Sequence, residues 1–217
     1  MANIYETATL NKRGQELYEL SQAYNKNDVV KVVTQYVDIA GNVTEASSLS
    51  TKNSQPDDTV QKTYYYYYAR AELPQSPAHG SDDITPTLSD SKWGGVIEKE
   101  GKKVPEFIWT PSYASSASHA PTVQAVKYGD GYEQRISDNL NTSLIGLTLS
   151  FDKRRKKEAT AILHFLQVRG ASESFLFSPP EPYNPSKKRL FVCRSWNTSF
   201  KFFDHYAVSA NFFEVAG

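Results

Sequence analysis

Apolar and polar residues alternate in the second half of the chain, with the period of two that predicts β-strands. Residues 145–151 place Ile, Leu, Leu and Phe at every second position, and Gly146, Thr148 and Ser150 lie between them. This pattern is typical of a strand with one buried face and one small, polar face. Apolar and β-branched runs predict further strands at 107–109, 123–128, 175–177, 190–195, 200–203 and 206–215.

One convincing helical period lies between these strands, over residues 153–169. Its apolar positions form a single stripe, made of Ala159, Ile162, Leu163 and Leu166. Asp152 is placed to cap the first turn, and Gly170 is the expected end of the helix. The small residues at 112–120 predict a linker rather than a strand.

The first half of the chain has fewer elements and longer polar segments. Strands are predicted at 29–39 and 60–71, which can pair as a long-looped hairpin, and a short helix is predicted at 14–25. The polar stretches at 41–59 and 73–95 predict loops. So few elements are too sparse for an independent core, and we expect this half to pack against another surface.

Five consecutive tyrosines occupy the strand predicted at 60–71. Its pleat directs Tyr64, Tyr66 and Tyr68 to one face and the two tyrosines between them to the other. Two interpretations stay open. The run is either a strand with both faces partly covered, or a subunit interface or sugar-stacking surface, since tyrosine is enriched in such contacts.

These elements predict a mainly β protein. We expect an antiparallel β-sandwich or barrel with one flanking α-helix, over residues 107–217, preceded by an N-terminal β extension with long loops, over residues 1–106. The 14 Tyr, 11 Phe and 3 Trp fit a strand-rich chain.

Charge is balanced over the 217 residues but divided unevenly between the halves. Residues 1–106 carry 15 acidic and 11 basic residues, a net charge of −4, and residues 107–217 carry 9 and 13, a net charge of +4. The overall zero argues against binding of nucleic acid by bulk charge. The run Lys153–Lys157 is either a solvated basic face or a contact with an acidic neighbour or phosphate.

The sequence contains few residues that point to catalysis. The four histidines are scattered singly, Cys193 is the lone cysteine, and none of the common nucleotide-binding or hydrolase motifs is present. We therefore expect no enzyme activity, cofactor or metal, with Cys193 and His164 as structural residues. No apolar run predicts a membrane span, and the N-terminus lacks the pattern of a signal peptide, so synthesis in a reducing cytosol is expected.

A tight hairpin is predicted where Gly129, Asp130 and Gly131 interrupt the strand at 123–128. Asp-Gly between two strands favours a two-residue turn in which both central positions have φ above zero. The segment resembles a signature of the phage minor tail protein M family, in which it has the form Val123-x-x-Val126-x-Tyr128-Gly129-Asp130-Gly131-Tyr132-x-Gln134-Arg135.

Further segments of residues 107–217 are similar to this family in the same order. They are Phe107-Ile-Trp109, Lys157-Glu158-Ala159-Thr160, Ser174-Phe-Leu-Phe-Ser-Pro-Pro180, Val192-Cys193-x-x-Trp196 and Ser209-Ala-x-Phe-x-Glu-Val215. Residues 1–106 are an extension that the resemblance does not explain, and the resemblance assigns no role to the basic run Lys153–Lys157.

The resemblance implies a structural protein of the phage tail tip, with a fold of the tail-tube type. It implies a homo-oligomeric, hexameric ring in the virion that joins the tail tube and distal tail protein to the baseplate hub. DNA would pass through the ring without specific binding at ejection. Alternatives are a carbohydrate- or receptor-binding β-module, and a hydrolase whose motif is absent.

The same resemblance directs attention to particular residues. The small face of Gly146, Thr148 and Ser150 suits the lumen of a tube that conducts DNA, so we expect it to face the channel. The assembly candidates are Gly129, Asp130, Gly131, Tyr132, Trp196, Tyr64, Tyr66 and Tyr68.

Overall fold

A computed structural model describes residues 23–45, 59–73, 92–121, 123–137 and 144–216. Within these ranges the chain forms one helix, α1 (Lys156–Arg169), and thirteen strands. The strands are β1 (Val29–Asp38), β2 (Val43–Glu45), β3 (Thr59–Ala69), β4 (Trp93–Gly94), β5 (Val96–Lys99), β6 (Lys102–Pro105), β7 (Ser116–His119), β8 (Val123–Lys127), β9 (Glu133–Ser137), β10 (Ile145–Arg154), β11 (Phe175–Phe177), β12 (Arg189–Phe202) and β13 (His205–Glu214).

A five-stranded antiparallel sheet forms the centre of the second half, with the strand order β11-β12-β13-β10-β7. The alternation predicted in β10 is confirmed, since Leu147, Leu149 and Phe151 are buried and Thr148 between them is exposed. Helix α1 packs on the apolar side of this sheet, where Ile162 and Leu166 join the same core. The mainly β prediction is confirmed, and the described sheets form no closed barrel.

Helix α1 begins later than the sequence predicts. Strand β10 continues to Arg154, and Asp152 accepts a hydrogen bond from the Ser150 hydroxyl at 2.9 Å instead of capping the helix. A distant residue binds the first turn, because the backbone N–H of Lys156 donates to Asp204 Oδ1 at 3.2 Å. The predicted end is confirmed, since Gly170 takes φ 57° and its N–H donates to the carbonyl of Leu166.

The first half contributes a four-stranded sheet with the order β2-β1-β3-β4. The predicted hairpin is confirmed, because β1 pairs antiparallel with β3 from Val29↔Tyr68 to Asp38↔Thr59. Strands β2 and β4 lie in segments predicted as loops, since backbone pairing there does not require an apolar pattern. Of the helix predicted at 14–25, residues 14–22 lie outside the described ranges, and Tyr24 forms an isolated β-bridge with Leu73 instead.

The two faces of β3 contact different parts of the molecule. Tyr66 and Tyr68 pack against the core that contains α1, while Tyr65 and Tyr67 belong to a second cluster with Trp93. The alternation of the tyrosines is therefore as the pleat predicts. Helix α1 consequently has the five-stranded sheet on one side and the tyrosines of β3 on another.

Three predictions in the second half are wrong in detail. Residues 107–109 form no strand, because Phe107 crosses the middle of the core and makes only one backbone bond to a strand, its N–H donating to the Leu176 carbonyl. The predicted linker contains β7, whose small residues pair with β10. The strands predicted at 190–195 and 200–203 are one strand, β12, because the polar residues between them pair with β13.

Candidate assembly surfaces

The side of the five-stranded sheet that faces away from α1 carries a group of small, uncharged polar residues. They come from four neighbouring strands and are Ser116, Ser118, Gly146, Thr148, Ser150, Ser195, Asn197, Ser199, Ser209 and Asn211. We call this set the polar face. Residues directly opposite each other in the register share a face, so the set is continuous across β7, β10, β13 and β12. At one end of the same side, Phe213 lies opposite Gly146 and is 42% exposed, and the Arg194 guanidinium lies 5.5 Å from its ring centre.

Hydrogen bonds between side chains organise the polar face. Thr148 Oγ1 donates to Asn211 Oδ1 at 3.0 Å, and Asn211 Nδ2 donates to Ser195 Oγ at 2.9 Å, which connects three strands. The Ser118 hydroxyl fills the space over Gly146, where an added Cβ would lie only 2.6 Å from Ser118 Oγ. The three residues predicted to face a channel, Gly146, Thr148 and Ser150, thus lie together on one surface opposite α1.

Strands β8 and β9 form a separate two-stranded hairpin that pairs with no other described strand. Val126, Tyr128 and Tyr132 expose 45%, 48% and 64% of their surfaces on it. The rings of the two tyrosines lie 5.8 Å apart, and the Tyr128 hydroxyl donates to Gln134 Oε1 at 3.1 Å. The hairpin therefore presents two ordered aromatic rings to the surroundings.

The turn of this hairpin differs from the predicted two-residue turn. The Gly131 N–H donates to the Tyr128 carbonyl, and the Tyr128 N–H donates to the Tyr132 carbonyl. These two bonds close a loop of three residues, 129–131. Only Gly131 has φ above zero, at 87°, and the Asp130 carboxylate accepts the Tyr132 N–H at 3.1 Å. This is a turn followed by a one-residue bulge, in which a single left-handed position suffices.

The tyrosines of β3 hold the first half of the chain against α1. The Tyr68 hydroxyl lies 3.0 Å from His164 Nδ1, and the Tyr66 ring packs edge-on against the His164 ring at 4.7 Å. Burial, together with the positive charge of Arg169, lowers the pKa of His164 to about 4, so the ring is neutral at pH 7. Tyr64 is 42% exposed, and the Lys31 ammonium lies 4.0 Å from its ring centre.

Two of the cations in the run Lys153–Lys157 bind acidic neighbours in the same chain. Arg154 contacts Glu158 at 2.7 Å, and Lys157 contacts Asp28 of the first half at 3.0 Å. Both Lys153 and Arg155 are exposed. Both interpretations left open by the sequence therefore apply to part of the run. Arg154 and Lys157 contact acidic neighbours, and Lys153 and Arg155 form a solvated basic surface.

Sequence reasoning missed the polar contacts that join the two halves of the chain. The Trp109 indole N–H donates to Asn27 Oδ1 at 3.1 Å. Glu106 is 6% exposed, and its carboxylate lies 2.7 Å from Lys188 and 3.5 Å from Arg70. No local pattern marks these residues, because their partners are far away in the sequence. The assembly candidate Trp196 is partly buried and packs against the main core.

Two hairpin ends with exposed apolar side chains were also missed. Phe200 and Phe203 are 69% and 98% exposed where β12 turns into β13, and Ile39 and Val43 are 91% and 45% exposed where β1 turns into β2. We call the first pair the aromatic tip and the second pair the aliphatic tip. Apolar residues beside turn residues such as Gly41 and Asp204 are the signal that could have found them.

Groups with potential reactivity are few in the described ranges. Burial raises the pKa of the Cys193 thiol to about 11, which makes it a poor nucleophile. No three side chains among the described His, Cys, Asp and Glu residues converge as metal ligands would. No helix in these parts of the chain has both the length and the apolar character of a membrane span.

Comparison with known proteins associates the second half of the chain with phage tails. The sequence model of a family described as phage minor tail protein matches residues 105–216. The chain is also 32% identical over 92 residues to tail tip protein M of Escherichia phage lambda, and these residues are 42% of this chain and 81% of that protein. Residues 1–104 lie outside the family match.

Proposed function

Because the chain belongs to the phage minor tail protein family, as its motifs predict, we propose that its copies form a closed ring at the tail tip and line the channel for DNA. The protein is a structural component of the phage virion and is located in its tail. In the proposal the ring is hexameric and has no enzyme activity. On one side it contacts the tail tube and the distal tail protein, and on the other side it contacts the baseplate hub.

The observation that carries the channel proposal is the polar face. DNA bears one phosphate charge per about 1.7 Å of its axis, so a channel wall must neither bind nor repel it strongly. The ten residues of the polar face bear no charge, and Thr148 and Asn211 satisfy part of each other's hydrogen-bonding capacity. Arg194, beside them on the same side of the sheet, adds one positive charge there. A wall dominated by such residues offers passing DNA few strong contacts, which suits ejection.

The β8–β9 hairpin supports the ring. An isolated two-stranded hairpin is marginal in water, and this one exposes Tyr128 and Tyr132. Docking against a neighbouring copy would cover both rings and stabilise the hairpin. A contact of this kind joins different surfaces of two copies, so its repetition closes into a ring when the rotation allows.

A label placed on the polar face tests the channel proposal. Cys193 is buried, so a cysteine introduced by Thr148→Cys can be labelled selectively with a maleimide carrying a small gold cluster. We expect electron micrographs of purified tails to show the label on the tail axis. A label on the outer surface of the tail would contradict the proposal.

Receptor or carbohydrate binding is the second candidate, and the exposed pair Tyr128 and Tyr132 favours it. Aromatic rings about this far apart can stack against sugars, whereas the β3 tyrosines are largely covered. Binding of purified protein to host cell-wall carbohydrate, lost in Tyr132→Ala, would support this function. If the intact protein binds no carbohydrate, this function is excluded, and contact with another subunit is the role that fits the two tyrosine side chains.

A further inference from the structure

The aromatic tip and the aliphatic tip are the turns of two hairpins, β12–β13 and β1–β2, and both expose apolar side chains. Phe203 and Ile39 are almost fully exposed, at 98% and 91%. Both lie at hairpin turns, Ile39 between β1 and β2 and Phe203 between β12 and β13. Each tip brings two exposed apolar side chains together in one small patch, which marks a candidate contact with another surface.

Two basic residues at the start of α1 lie beside the aromatic tip. Asp204, which follows Phe203, accepts the backbone N–H of Lys156, and this bond places the tip beside the start of α1. Arg155 and Lys156 are exposed there. The aromatic tip therefore combines two phenylalanine rings with solvated cations.

The aliphatic tip has the opposite charge. Asp38 accepts the Asn42 backbone N–H at 2.8 Å and the Asn42 side-chain amide at 2.9 Å, which fixes the turn that carries Ile39. These hydrogen bonds lower the pKa of Asp38, so the tip keeps its negative charge. It belongs to the half of the chain with a net charge of −4, whereas the aromatic tip belongs to the half with +4.

The two tips cannot cover each other within one copy. Asp28, just before β1, contacts Lys157 near the aromatic tip. Strand β1 then runs ten residues to Asp38, about 30 Å at 3.3 Å per residue. The aliphatic tip thus lies at the far end of the strand, and the two surfaces are placed for a contact between different copies.

We propose that the aliphatic tip of one copy, Ile39 and Val43, docks against the aromatic tip of the next, Phe200 and Phe203. The inference rests on the ring proposed above and names one of its contacts. Apolar burial supplies the affinity, and Asp38 facing Arg155 and Lys156 sets the orientation. Because the joined surfaces differ, the contact repeats head to tail. Residues 1–106 would then contribute a contact between copies through Ile39 and Val43, which lie outside the segment that matches the family.

Disulfide formation in assembled tails tests the proposal. The full-length chain with Ile39→Cys and Phe203→Cys is incorporated into tails, oxidised mildly and separated without reducing agent. We expect a ladder of covalently linked copies that disappears on reduction. The matched control combines Ile39→Cys with Tyr113→Cys, since Tyr113 is also fully exposed, and should give no ladder.

The outcomes separate this contact from the ring itself. A ring seen by electron microscopy without a ladder from the 39/203 pair would overturn the contact and leave the ring intact. A micrograph in which the copies in the tail are separate from one another would overturn both the contact and the ring. A crosslink within single unassembled chains would also overturn the contact, because the tips would then meet in one copy.

A second pair of variants tests the contact even if the cysteine variants are not incorporated into tails. Phe203→Ala and Ile39→Ala change exposed side chains, so we expect purified protein to keep its melting temperature. Incorporation into tails should fall by about tenfold, as for a central interface residue. Unchanged incorporation of both variants would overturn the contact.

Discussion

The hydroxyl of Tyr68 lies 3.0 Å from Nδ1 of His164, and this buried contact joins the first half of the chain to α1. It is accompanied by the ring contact of Tyr66 and by the ion pair of Asp28 with Lys157. The first half therefore covers one side of the helix, while the five-stranded sheet covers another. The polar face lies on the opposite side of that sheet, where Thr148 and Ser209 are exposed.

Removal of the Tyr68 hydroxyl should destabilise the fold. Tyr68→Phe keeps the ring packing but leaves a buried nitrogen of His164 without its partner, at a cost of about 1–3 kcal/mol. Urea denaturation followed by tryptophan fluorescence measures the loss. Tyr64→Phe is the matched control, because Tyr64 is 42% exposed and should change the stability little. Equal effects of the two substitutions would contradict the role given to Tyr68.

Stability should depend on pH through His164. Its pKa is lowered from 6.5 to about 4 in the folded protein, so the unfolded chain binds the extra proton first as pH falls. The contribution of the neutral ring is complete above about pH 6.5 and is lost as pH falls to about 4. Urea midpoints measured from pH 7 to pH 4 should fall less in His164→Gln than in the original protein. Parallel curves would show that His164 does not titrate in this way.

The turn at Gly131 should tolerate no β-branched residue. Gly131→Val forces φ of about 87° on a branched side chain, which costs roughly 1–2 kcal/mol locally. We expect faster hydrogen exchange at the Tyr128 amide and poorer incorporation into tails. Gly129→Val is the control, because Gly129 does not have a positive φ and has open space around it. Slow exchange in Gly131→Val would mean that the loop has another conformation.

Deletion of the first half tests the division of the chain at residue 106. We predict that residues 107–217 alone still melt cooperatively but enter tails poorly, because the surface of α1 that Tyr68 covers becomes exposed. Calorimetry and tail complementation measure the two properties. Failure to fold would mean that both halves form one domain, which the shared core around Val29 and Tyr68 would explain. Normal assembly would mean that residues 1–106 have no part in it.

Elements with a strong local pattern could be predicted from the sequence. The alternation from Ile145 to Phe151 defines β10, the glycine at 170 ends α1, and the tyrosine run alternates as a strand must. In each case the pattern reflects burial of one face, which is a local property. The three polar-face residues Gly146, Thr148 and Ser150 followed from the same alternation.

Features that depend on distant residues could not be predicted. Phe107 has the apolar character of a strand residue, yet it crosses the core and contacts Phe151 and Phe212, which are far away in the sequence. Asp204 binds the start of α1 in place of the local candidate, Asp152. The two tips escaped notice because exposure of a single apolar residue depends on what the folded chain leaves uncovered.

An electron cryomicroscopy map of the purified tail would show directly whether the chain forms a ring and which of its surfaces lines the channel. We predict a closed ring of copies of this chain around the tail axis, with Thr148 and Asn211 of each copy facing the channel and α1 away from it. A polar face that is buried between proteins or points away from the axis would contradict the channel proposal, and copies that form no ring would contradict the ring.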